Sequence, residues 1–161
     1  MPGQSYLPKP VICAIVLLSI VCFFGTAQAT EDTYQGPPRD LVAGNLSQCE
    51  QAVEILVKSV RTEKIFGHGN GKGASGYVQC LVVGVITRSF KGSLSKGQEI
   101  SYHFTCEYDN IPKCPVTKGS SYVIFLKKNP TTNEYWLFAE AAQFQSTPEL
   151  LEILEQTTIS K

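Results

Sequence analysis

The chain has 161 residues, with 14 basic and 14 acidic side chains and therefore no formal net charge at neutral pH. That balance excludes a partner gripped through a dense positive face, as nucleic acid and anionic membrane surfaces require. The length allows one hydrophobic core of ordinary size, not two.

Residues 1–10 are polar with a single cation, Lys9, and residues 11–24 (VICAIVLLSIVCFF) are apolar. Gly25-Thr26-Ala27-Gln28-Ala29 then places small residues at the −3 and −1 positions of a signal-peptidase site. A secretory signal peptide is therefore predicted over residues 1–29, with the mature chain starting at Thr30. The apolar run is shorter than the roughly 20 residues that span a bilayer, so no membrane association is expected after cleavage, and the expected location is extracellular. Removing Lys9 leaves a net charge of −1.

Cys49, Cys80, Cys106 and Cys114 remain after the leader. An even count in an oxidising compartment predicts two disulfides. Folding the second and third strands about their turn favours Cys80–Cys106 with Cys49–Cys114. No C-x-x-C pair occurs, and Cys106 and Cys114 stand eight apart, so no metal or cofactor is expected. Asn45-Leu46-Ser47 is an N-glycosylation sequon and Asn45 the candidate acceptor.

In chain order, residues 30–48 contain Gly36-Pro37-Pro38 and read as an extended lead-in, with one domain over residues 49–161. Residues 52–60 (AVEILVKSV) alternate, with Val53, Ile55 and Val57 on one side, and predict a first strand. Residues 67–76 are rich in glycine and lack the spacing of a phosphate loop, which leaves a hairpin connection with Asn70-Gly71 available for the turn. Residues 77–90 form a long second strand in which Gly84 marks a bulge or bend. Residues 98–106 alternate cleanly, with Ile100, Tyr102, Phe104 and Cys106 on one face and His103 on the other, solvated one. Residues 121–127 and 134–144 supply two more strands. Thr147, Pro148 and Glu149 then start a short helix with Leu150, Leu151, Ile153 and Leu154 as its apolar stripe. The fold class expected is mostly β: a five-stranded antiparallel barrel with a short C-terminal helix. Trp136, Phe104, Tyr122 and Phe125 are expected to fill it.

An apolar first strand, a long second strand leaving through Phe90-Lys91-Gly92, and Cys114 ahead of Lys118-Gly119-x-x-Tyr122-x-x-Phe125 together resemble the netrin-like module of tissue inhibitors of metalloproteinases. The resemblance spans residues 49–144 and implies an OB-type barrel and binding to an extracellular protein, such as a protease or a matrix component. Those inhibitors chelate the protease zinc with the amine and carbonyl of an N-terminal cysteine. Here the expected terminus is Thr30 and the first mature cysteine is Cys49, so that route does not transfer.

The mature chain has two histidines, His68 and His103, and contains no G-x-S-x-G, no H-E-x-x-H and no catalytic Cys–His pattern. A non-enzymatic binding module is the leading expectation. The alternative is a small secreted hydrolase or a ligand carrier using the barrel. The candidate contact loop is residues 106–114 (CEYDNIPKC), with Tyr108, Asp109, Ile111 and Pro112 as contact residues held near cystine.

Overall fold

The computed structural model describes residues 36–68, 75–109 and 111–159. Among these the elements run α1 (Arg39–Gln48), β1 (Gln51–His68), β2 (Ser75–Lys91), β3 (Glu99–Asp109), β4 (Ser121–Lys128), β5 (Tyr135–Leu137), β6 (Gln143–Gln145) and α2 (Pro148–Ile159). The fold is mostly β, as the alternation predicted. β1, β2 and β3 form an antiparallel meander, β4 pairs with the start of β1, and β5 bridges β4 to β3, which closes a five-stranded barrel.

The barrel is mixed and not purely antiparallel. Strand directions cannot alternate all the way round a ring with an odd number of strands, so one neighbouring pair must run parallel. That pair is β3 with β5, through Tyr102 opposite Tyr135 and His103 opposite Trp136. The glycine loop expected to carry a turn at Asn70-Gly71 lies outside the described residues, although β1 and β2 are paired up to His68 opposite Ser75.

The expected last strand is two short ones. The chain leaves the ladder after Leu137 and rejoins it at Gln143, on the same edge of β4. The backbone of Phe125 holds both ends: its carbonyl accepts from Phe138 N–H and its own N–H donates to Ala142 O, each at 2.9 Å. The C-terminal helix forms where predicted. Thr147 Oγ1 accepts the Leu150 N–H at 3.3 Å, and Leu150 and Leu154 are fully buried.

Two apolar clusters share β4. Val53, Ile55, Val57, Val78, Val82, Ile86, Tyr102, Phe104, Ile124 and Leu126 fill the barrel. Val123 and Phe125 point the other way, into a layer with Val42, Leu46, Leu150 and Leu154 of the two helices. Of the four aromatics expected inside the barrel, Phe104 is there and Tyr122 packs half-buried against it. Phe125 belongs to the helix layer, and Trp136 lies on the outer wall, stacked on His103.

The lead-in expected to be extended contains a packed helix. Val42 and Leu46, four apart, put one face of α1 into the second cluster. Pro38 stands at its N-terminus, where a missing N–H costs nothing, and Asp40 lies in the positive first turn. Its C-terminal carbonyls are taken up by the Phe90-Lys91-Gly92 segment. Lys91 Nζ donates to Leu46 O at 2.8 Å and to Ser47 O at 3.0 Å. Gly92 has φ +98°, and a Cβ there would collide with Gln51. Gln51 Oε1 accepts the next two backbone N–H groups, of Ser93 at 2.9 Å and Leu94 at 3.2 Å.

Cys80 is bonded to Cys114, so neither expected pairing forms. The register explains the correction. Cys106 lies opposite Val78, while Cys80 lies opposite Phe104, two positions along. Cys114 instead returns into the barrel interior, where Val116 and Cys114 join the core beside Cys80. Cys106 carries no disulfide, and burial raises its thiol pKa. Cys49 is buried near the C-terminus of α1, its Sγ 3.6 Å from Leu46 O.

The loop closed by this bridge spans a sequence separation of 34. Replacing Cys80 and Cys114 together by Ala should lower unfolding stability by about 3 kcal/mol, measured by denaturant titration. Non-reducing peptide mapping should recover residues 80 and 114 on linked peptides.

Candidate functional site

The predicted contact residues do not form one surface. Tyr108 is the penultimate residue of β3 and only 7% exposed. It belongs to the barrel cluster, not to an exposed loop. Its hydroxyl lies against Gly67, which pairs with Gly76 across the β1–β2 hairpin so closely that a Cβ on Gly76 would strike the Phe66 carbonyl. Asp109 ends β3 and is exposed, Pro112 is half-buried, and Ile111 is 71% exposed. Cystine anchors this segment only at Cys114.

What surrounds Ile111 was not legible from the alternation. β1 and β2 run on beyond the closed part of the barrel. Phe66 and Tyr77 face each other across this extension at 49% and 46% exposure, while Ile65, 55% exposed, lies on the opposite face. Tyr77 stands opposite Glu107 of β3, to which its hydroxyl donates at 3.0 Å. That hydrogen bond raises the tyrosine pKa. β3 ends at Asp109, opposite Ser75 of this hairpin, so exposed Ile111, two residues further on, belongs to the same end of the sheet. A patch of this kind marks an interaction surface more often than a solvated one.

A second feature occupies the outer wall. His103 was expected to be solvated; its side chain is only 13% exposed. It stacks on Trp136 with ring centroids 5.0 Å apart. Its Nδ1 lies 3.0 Å from Glu63 Oε2 and its Nε2 lies 3.8 Å from Glu134 Oε1. His103, Glu63 and Glu134 line an open cleft of about 470 Å³, with Arg61, Glu99, Ser101 and Asn133 around its rim. Glu63 is aimed there by a β-bulge. Thr62 lies opposite Cys80 and Lys64 opposite Gln79, which leaves Glu63 as the extra residue of β1. Its carboxylate also pairs with Arg61 at 3.0 Å. Partial burial works to raise the Glu63 pKa, but the Arg61 and His103 contacts outweigh it and hold the group below its ordinary value. The Trp136 indole N–H is buried without a hydrogen-bond partner among the described residues. Among the same residues no three His, Cys, Asp or Glu side chains converge on one point.

Asn45 is not available as a glycan acceptor in this fold. It is 4% exposed, and Nδ2, the atom a glycan would occupy, donates to Ala141 O at 2.7 Å. The sequon gave no sign of this because a three-residue motif carries no information about burial. No protein-family model matches the chain, and no curated protein matches it.

Two measurements check these placements. Tyr108→Ala should cost about 3 kcal/mol of stability through the cavity it leaves, whereas Ile111→Ala should stay within about 0.5 kcal/mol of the parent; both follow from chemical denaturation. Endoglycosidase treatment of protein secreted from eukaryotic cells should leave its mass unchanged, and Asn45→Ala should destabilise it by about 1–3 kcal/mol through the abandoned Ala141 carbonyl.

Proposed function

We propose that the chain is a non-enzymatic, netrin-like binding module that engages an extracellular protein, a protease or a matrix component, through the end of the barrel bearing Phe66, Tyr77 and Ile111. The observation that carries this reading is the concentration of large exposed apolar side chains there, at 46% to 71% exposure. The filled barrel favours a module acting through its surface over a carrier that stores a ligand inside. The predicted leader and the Cys80–Cys114 bridge support an extracellular setting. The five-stranded barrel fits the OB-type architecture that the netrin-like resemblance implies. Inhibition through an N-terminal amine on zinc is not part of the proposal.

The hydrolase reading draws on the Glu63–His103 pair, which has the form of an oriented general base. The group facing the far nitrogen of that histidine is the Glu134 carboxylate, not a hydroxyl or thiol. That arrangement favours the binding reading.

The test is affinity recovery of partners from the native extracellular fluid with the parent protein and with a Phe66→Ala, Tyr77→Ala double variant. A partner held by the parent should bind the variant more weakly by about 1–3 kcal/mol, the range of interface anchors, while the melting temperature stays close to that of the parent. Equal affinity in both proteins would place the contact elsewhere.

A further inference from the structure

We propose, resting on the binding reading above, that the partner protein adds an extended, basic segment as a strand along the open edge of β3. It would lie in the groove between β3 and the stretch of chain from Leu137 to Gln143.

The groove exists because the seam that closes the ring is short. β3 and β5 pair only through Tyr102 opposite Tyr135 and His103 opposite Trp136. β3 runs on to Asp109, while the other chain leaves the ladder after Leu137 and returns at Gln143. From Phe104 onward β3 is paired with β2 alone among the described residues. Its other edge therefore presents unpaired backbone donors and acceptors, a template for a further strand. Two adjoining cavities of about 310 and 250 Å³ lie along that edge. They share Phe104, Thr105, Leu137 and Glu140, and so form one continuous groove. The Tyr102 hydroxyl donates to Gln143 Oε1 at 2.5 Å, which ties the two banks together. The free stretch of β3 has room for about five residues of added strand.

The lining selects the occupant. Glu107 stands on one bank and Glu140 on the other, and no lysine, arginine or histidine lines either cavity. Neither carboxylate has an ion pair among the described residues, and Glu107 accepts only the Tyr77 hydroxyl. The rings of Tyr77 and Trp136 line the same groove, so an incoming lysine or arginine meets carboxylates and aromatic rings together. β1 has an open edge as well, but Lys58, Arg61 and Lys64 lie along it, the kind of charge with which proteins discourage strand addition. β3 has Thr105, Cys106 and Glu107 in the equivalent place. Tyr77 belongs to the hairpin-end patch too, so a partner seated there can run its chain into the groove.

The test is selection of random phage-displayed peptides, about seven residues long, against the full chain. A synthetic selected peptide is then titrated and followed through the fluorescence of Trp136, the chain's single tryptophan. Selected sequences should be rich in lysine and arginine. Glu140→Lys, at an exposed position, should weaken binding at least about tenfold through like-charge repulsion. Methylating alternate peptide nitrogens should do the same through lost backbone hydrogen bonds, again at least about tenfold. Amide exchange should slow across residues 104–108 when the peptide binds. Phe66→Ala should leave peptide affinity unchanged, because Phe66 does not line the groove. Strand addition is ruled out if the parent selects no peptide, or if Glu140→Lys or the methylated peptide binds as tightly as its parent. It is also ruled out if sedimentation shows a dimer that Glu140→Lys dissolves, since the occupant would then be a second copy. A recovered partner that the Phe66→Ala, Tyr77→Ala variant loses but saturating peptide does not displace overturns strand addition alone. A partner displaced by peptide yet indifferent to Phe66→Ala overturns the hairpin-end contact alone.

Discussion

Closure of the barrel is the constraint on which the rest of this structure depends. β1 has eighteen residues, but it pairs with β4 only from Gln51 to Leu56. A strand of that length stays in a closed ring only by coiling, and strands coil through bulges. The β1–β2 ladder shifts register at four places. The extra residues are Phe90 and Thr87 on β2 and Lys58 and Glu63 on β1. Three of these four perform a further task. Phe90 packs into the helix layer, Thr87 donates to the buried Glu54 carboxylate at 2.8 Å, and Glu63 meets His103. The irregularities that bend the sheet therefore also direct the side chains that tie it to its surroundings.

The helix layer is fastened by polar contacts at its margins as much as by its apolar centre. Glu54 lies on β1 beneath α2 and is 8% exposed. Ser146 and Thr87 donate to its carboxylate, and Arg88 stands 3.6 Å away while also reaching Glu155 of α2 at 2.8 Å. A buried carboxylate without such partners would cost several kcal/mol. On the opposite margin Lys91 serves the end of α1, and Asn45 ties that helix to Ala141. Each helix is thus held in register by a hydrogen-bonded group that an apolar contact alone would leave free to slide.

Much of this was legible from residue order. Period-two alternation located β1 and β3 because one face of each fills the barrel, and Thr147-Pro148-Glu149 marked α2 because helix starts have local chemistry. α1 was missed because Gly36-Pro37-Pro38 masked its short stripe of Val42 and Leu46; a proline just ahead of the helix, followed by an acid in its first turn, was the available signal. Other features depend on long-range geometry that no local pattern encodes. Cys80 meets Cys114 because the chain after β3 re-enters the barrel, and Glu63 meets His103 across the intervening β2 only because a bulge moves it there. The burial of Tyr108 against Gly67 also depends on register, which the spacing of residues 106–114 does not contain.

The two exposed regions of interest differ in how firmly they are held, and that difference bears on what each can recognise. Beyond Leu56, β1 has no ladder partner other than β2 among the described residues. On its β1 side the hairpin end therefore lacks a second neighbour, whereas its β2 side stays paired with β3 as far as Ser75 opposite Asp109. Its apolar side chains can adjust to a partner, at an entropic cost that only a sizeable contact would offset. The cleft is the opposite case. Its histidine is fixed by β3, by the indole of β5 and by a carboxylate from β1, so its geometry is set before anything binds. Preorganised polar groups suit a small ligand with strict directional demands, whereas an adaptable apolar edge suits a protein surface. The same closed ring generates both, because β1 overruns its pairing with β4 and leaves one free edge, while strands pinned within the ring supply the rigid cleft.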